Sequence, residues 1–162
     1  MEDIQAQVAA QLDEQAADFE AITLRLSWVM HRRLEQRLDA FQLTLPQYMA
    51  LTHIQRQAHG CSMSALADAS HQLSATMTGI IDRLAERGLV VRERDERDRR
   101  ALRVQLTDAG RALMERVSAA KRAWTREYLS QLTSEDRDSI IALSRHFLSV
   151  VESTGIDTMQ AD

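Results

Sequence analysis

A mainly α-helical chain carrying one short β-hairpin is predicted, and three observations predict it. One proline and five glycines in 162 residues, with Ala, Leu, Gln, Glu and Arg abundant, favour helix over most of the length. Two helical patterns, Met63–Ala69 and 74–87, are separated by the short break Ser70, His71 and Gln72. Directly after them, residues 90–93 and Leu102–Leu106 have the composition of two short strands, with the charged run D-E-R-D-R-R turning between them. Two helices joined by a tight turn and followed by a hairpin is the order of a winged helix-turn-helix, here set between long terminal helices.

The elements follow in chain order. Residues 2–13 carry a weak apolar stripe, Ile4, Val8 and Leu12. Residues 14–40 form a long helical pattern with two stripes. Phe19, Ile22, Leu26 and Val29 make one; Leu24 and Trp28, then Leu34, Leu38 and Phe41, make the other. A surface helix of a monomer needs only one stripe, so the second predicts contact with a partner. Residues 45–57 give the next helix, with Pro46 at an early position that suits it. A short strand is expected at Ser62 and Met63. Gly88 is placed to stop the helix 74–87. Thr107 caps a helix running to Leu129, whose Leu113, Val117, Ala120 and Trp124 are spaced like a coiled-coil seam. Thr133 or Ser134 caps the last helix, where Ile140, Ile141, Phe147, Leu148 and Val151 are apolar. The length suits one domain with a real core. Residues 43–106 are assigned to the winged lobe, and residues 1–42 and 107–162 to dimerisation helices. On this reading Leu113, Val117 and Trp124 face a second copy of the chain.

The chemistry concentrates in the helix 74–87 and the hairpin. At 100° per residue, Leu73, Met77, Ile80, Ile81 and Leu84 form one inward stripe. The opposite side carries Gln72, Ala75, Thr76, Gly79 and Arg83. Ala75 and Gly79 are small and permit close approach to a duplex, while Gln72, Thr76 and Arg83 supply hydrogen-bond donors. Ser74 and Thr78 complete the candidate DNA-contacting set on this helix, whose first turns are the ones expected at base edges. Asp82 and Glu86 come late, where repulsion from phosphate matters less. The hairpin region holds six arginines between Arg92 and Arg103, in a chain of net charge −4. A charged loop between short strands cannot bury itself. Projecting arginine forks suit phosphate or a narrow DNA groove, which makes Arg97, Arg99 and Arg100, with Asp98, the candidate wing contacts. A solvated tip partly neutralised by Asp95, Glu96 and Asp98 is the competing reading.

The run from Leu66 to Gly110 resembles the MarR family of bacterial transcription regulators. L-A-D-A at 66–69, L-S-A-T-M-T-G-I-I-D-R-L-A-E-R-G-L-V at 73–90, D-R-R at 98–100 and L-T-D-A-G at 106–110 carry the resemblance. L-T-L-P-Q-Y-M-A-L at 43–51 resembles the family's second helix, and the similarity spans roughly residues 20 to 150. The resemblance implies an obligate homodimer on a pseudo-palindromic DNA operator, in many members a repressor released by a small aromatic or phenolic ligand. It also implies that Arg100 is the wing arginine and Asp98 the acid that orients it. Gly79 departs from the pattern, because members commonly carry an arginine there. Relatives bind effectors in a crevice between the dimerisation helices and the winged domain. Trp28, His31, Arg32, Tyr48 and His53 are the residues here that would suit a small aromatic acid, although Trp28 also lies on an apolar stripe that packing alone explains.

Other classes fit less well. The nucleotide-binding glycine patterns, H-E-x-x-H and C-x-x-C are absent, so no enzyme and no cofactor is expected. None of His31, His53, His59, His71 and His146 pairs at i, i+4 with another histidine or a cysteine, and no metal site is assigned. Cys61 alone excludes an internal disulfide and fits a reducing cytoplasm. Peroxide-sensing relatives use a cysteine in the first helix, which this chain lacks, and Cys61 is read as a half-buried filler. No apolar run approaches 18 residues, so no membrane span is expected. The alternative from another class is a helical protein-binding adaptor that kept the winged fold without DNA binding. Such an adaptor has no need of Arg97, Arg99 and Arg100 at an exposed tip.

Overall fold

The computed structural model describes residues 2–57, 60–69, 74–94 and 102–154, with backbone only at 2–4, 69 and 74. The order is α1 (Glu2–Leu38), a 3₁₀ turn (Asp39–Phe41), α2 (Leu45–Arg56), β1 (Cys61–Ser62), α3 (Met63–Ala69), α4 (Ser74–Glu86), β2 (Val90–Arg94), β3 (Leu102–Leu106), α5 (Asp108–Leu129) and α6 (Ser134–Ser153). The chain is mainly helical with a small antiparallel sheet, as a winged helix-turn-helix requires. Residues 1–117 and 118–162 form two compact units.

α1 is one helix from Glu2 to Leu38, where the sequence had suggested a weaker segment before residue 14. No glycine or proline interrupts that span, so nothing ends the helix. α2 starts on a capping box. Thr44 Oγ1 accepts from the Gln47 amide at 3.4 Å, and Gln47 Oε1 accepts from the Thr44 amide at 3.1 Å. This pair gives Gln47, a buried polar side chain, its partner, and it is a cap that the sequence analysis had not singled out.

The sheet runs β1-β3-β2, all antiparallel. Arg92 pairs with Val104 and Val90 with Leu106, while Cys61 pairs with Val104 from the other side. Alternation along β3 sends Val104 and Leu106 inward. They join Leu38, Leu51, Ile54, Leu66, Met77, Ile81 and Leu84 in one core, with Met114 and Val117 closing it from α5.

This last contact corrects an expectation. Leu113 is 9% exposed and Val117 is 0% exposed, both inside the core of their own protomer. The 4-3-4 spacing is real, but in residues 113–117 it faces the winged lobe and not a partner. Trp124, farther along α5, is half-buried. No described helix is long and apolar enough to cross a membrane.

Candidate nucleic-acid interface

α4 stands on its apolar face. Met77, Ile81 and Leu84 are fully buried and Ile80 nearly so, which leaves the other side outward. Ala75, Thr76 and Arg83 are exposed there, and Thr78 is exposed on the flank. These four sequence-predicted residues therefore share the solvent side of one helix. Gln72, Arg97, Asp98, Arg99 and Arg100, together with the break 70–72, Leu73, His59 and the Ser74 side chain, lie outside the described residues.

The acid on this helix is neutralised from the wing. Arg92 Nη1 lies 2.6 Å from Asp82 Oδ1, tying β2 to the middle of α4. A carboxylate that would otherwise repel phosphate is held in an ion pair. The arginine cluster thus divides by role. Arg92 serves Asp82, and Arg103 donates to the Gly60 carbonyl at 3.2 Å.

The end of α4 is fixed by the glycine stop expected from the sequence and by contacts of Arg87 and Thr107 that join it to its neighbours. Gly88 adopts φ +66°, its amide donates to the Ala85 carbonyl, and the Leu89 amide donates to the Leu84 carbonyl. This is a Schellman stop that only a glycine enters cheaply. The Arg87 guanidinium donates to the Gln42 carbonyl at 2.6 Å and the Phe41 carbonyl at 3.4 Å, joining the base of α4 to the end of the first helical segment. Thr107 Oγ1 donates to the Gly88 carbonyl at 2.6 Å and accepts from the Gly110 amide at 3.0 Å. A side chain at position 110 would collide with the Leu89 carbonyl, so the start of α5 presses directly on the stop of α4. L-T-D-A-G is the mechanical joint between the helix, the hairpin and α5.

The five candidate ligand residues do not converge. Trp28, His31 and Arg32 line one open hollow of about 540 Å³ with Ser27 and Glu35, all on α1. The indole is 63% exposed, and the Arg32 guanidinium lies 5.5 Å from its ring centre. His31 Nε2 is 3.8 Å from Glu35 Oε1. Tyr48 is a core residue and His53 is half-buried on α2; neither lines the hollow. Tyr48 is therefore withdrawn as a ligand contact, because its ring is spent on packing.

Cys61 is 5% exposed on β1, and desolvation pushes its thiol from 9.0 up to about 11, with the Arg103 charge partly opposing the shift. A thiol that stays protonated at neutral pH is a poor nucleophile. Among the described residues no group of histidine, cysteine, aspartate and glutamate side chains is arranged to hold a metal ion.

Comparison with known proteins settles what this arrangement belongs to. A model of the MarR family matches residues 41–101, which include the capped α2, the helix pair and β2. The regulator PecS of Dickeya dadantii is 30% identical over 121 residues, 74% of this chain and 73% of PecS. The chain belongs to the MarR family. The repressor NicR of Pseudomonas putida is 31% identical, covering 82% of this chain and 84% of NicR. Staphylococcus aureus MepR has the same fold, with a TM-score of 0.73 at 22% identity over 82% of this chain and 98% of MepR. A MepR–DNA complex gives 0.62 at 23% identity, covering 82% of this chain and 97% of MepR. This MarR-family chain is a DNA-binding transcription regulator, and the adaptor alternative falls away. The relatives are regulators and not enzymes.

Proposed function

We propose that the chain acts as a homodimeric repressor on a pseudo-palindromic operator and is released by a small aromatic ligand. The observation that carries the dimer is α6, which has no buried residue although Ile140, Ile141, Leu143, Phe147, Leu148, Val150 and Val151 are 39–66% exposed. α1 presents Phe19, Ile22, Leu24 and Leu26 in the same way. Apolar surface on this scale marks a partner site. A twofold dimer places two copies of α4 about one DNA turn apart, ~34 Å, and so reads a palindrome. Repression is supported by the NicR relative, whose name is that of a repressor. The effector site is placed at Trp28, His31 and Arg32. One helix face cannot enclose a ligand, so the second copy supplies the opposite wall.

Sedimentation tests the dimer, and wild-type protein that stays monomeric at micromolar concentration overturns it. Gel shifts test the wing. Arg100→Ala should weaken operator binding by ~1–3 kcal/mol without dissociating the dimer, and Asp98→Ala should do similar damage. Arg99→Ala should lower affinity for all sequences and reduce the salt slope by about one. Thr76→Ala and Gln72→Ala should change base preference. Quenching of Trp28 fluorescence by aromatic carboxylates, in a Trp124→Phe background, with loss of DNA binding, tests the effector.

A further inference from the structure

At the turn from α5 into α6, Lys121, Arg122, Arg126 and Arg137 line a hollow of about 710 Å³ that no acid enters. Arg137 is held in place, its Nη1 donating to the Leu132 carbonyl at 2.8 Å and the Leu129 carbonyl at 3.3 Å. Arg122 and Arg126 are exposed, and neither side chain has a hydrogen bond or ion pair among the described residues. They stand one turn apart on α5, a like-charge spacing that weakens a helix unless an anion answers it. α1 carries the reverse pattern. No lysine, arginine or histidine precedes Arg25, and Asp13, Glu14, Asp18 and Glu20 fall in that stretch. Residues 5–28 of α1 are exposed throughout, and none of these four acids has an ion pair among the described residues. Glu14 and Asp18 are likewise one turn apart, and the exposed Ile22 and Leu26 continue their row along the helix. Arg137 in turn shares a face of α6 with the exposed Ile141 and Leu148. Each charged cluster therefore adjoins an apolar face that one chain leaves in water.

We propose that in the homodimer the acidic stretch of α1 from one copy seats in the cationic hollow of the other, with Glu14 and Asp18 paired to the partner subunit's Arg122 and Arg126. The inference rests on the homodimer reading. The occupant is a second copy because the chain itself supplies an exposed helical segment of the opposite charge. Its two acids have the same one-turn spacing as the two free arginines, and its apolar row leads onto the surface that a partner covers. The pairing decides which chains accept each other. It also fixes the register of the apolar faces, because a wrong alignment brings like charges together.

The experiment reverses charge on each side in separate full-length chains. One carries Glu14→Lys and Asp18→Lys, the other Arg122→Glu and Arg126→Glu. All four positions are exposed, so circular dichroism of both variants should match wild type. Each variant alone meets four reversed contacts in its symmetric dimer and should dimerise about tenfold more weakly than wild type in sedimentation. Salt should weaken the wild-type dimer and strengthen each variant's own. Mixed in equal amounts, the two variants recover complementary charge at both sites, and native mass spectrometry should find about nine-tenths of the dimers to be heterodimers. A contact made within one chain gives no such preference. Random assortment of the two variants would therefore overturn the pairing across copies while leaving the homodimer standing. Wild type that stays monomeric at micromolar concentration would remove the homodimer, and this pairing with it.

Discussion

In the lobe from α2 to β3, Leu51, Ile54, Leu66, Met77, Ile81, Leu84 and Val104 are all but fully buried, and the helix ends carry identifiable caps. In α6 no residue is buried, and Phe147 remains 49% exposed. Both regions have amphipathic patterns of similar quality. The lobe completes its core within one chain, whereas α6 and much of α1 present apolar faces that one chain leaves in water. Periodicity reports that a face must be covered. It does not report by what.

The sharpest break in that comparison is a charge placed in each region. Val117→Asp puts an unpaired carboxylate into the closed core, at several kcal/mol, comparable with the whole stability of a domain. It should unfold the protomer, seen as loss of the cooperative melt. Phe147→Asp should leave helical content intact and lower the oligomeric state in sedimentation. If Val117→Asp folds as a monomer instead, α5 faces a partner at that position after all.

Truncation sharpens the same contrast. Ile81→Ala should cost ~2–5 kcal/mol in denaturant unfolding, since its side chain is wholly buried. Ile140→Ala, half as exposed as in open chain, should cost the protomer far less and show its effect as a concentration-dependent melting temperature.

The joint at the end of α4 comes next in size. Thr107→Ala removes an N-cap and the bond to the Gly88 carbonyl, and should cost ~1 kcal/mol. Gly110→Ala should cost ~1–3 kcal/mol, because the obstruction is backbone and cannot swing aside. Thermal melts with the operator absent check both.

The smallest effect belongs to Cys61. Its thiol is neutral in the folded chain up to about pH 11 and ionises near 9.0 when exposed. Its contribution to stability is therefore complete below pH 9 and is lost as pH rises towards 11. Alkylation by iodoacetamide at pH 8 should be slow in the native protein and fast in urea. Equal rates would show an open thiol.

Much of this was legible in the residues. The bounds of α3 and β3 match the expected ones, and α4 ends one residue early because Arg87 belongs to its Schellman stop. Gly88 and Thr107 announced themselves through their residue types and positions. Leu113 and Val117 did not, because a 4-3-4 seam looks the same against a partner or against the chain's own core. Arg92 was read as part of a cationic cluster, yet its partner Asp82 is ten residues away in sequence and adjacent only once the hairpin folds back. Tyr48 and Trp28 were grouped by aromatic character, and burial separates them.

Selection of binding sites from a random duplex pool by the wild-type protein tests the central claim most directly. Two copies of α4 in one symmetric dimer should enrich a motif of two inverted half-sites with centres about 10 base pairs apart. Enrichment of a single unrepeated half-site, or of no sequence, would contradict it.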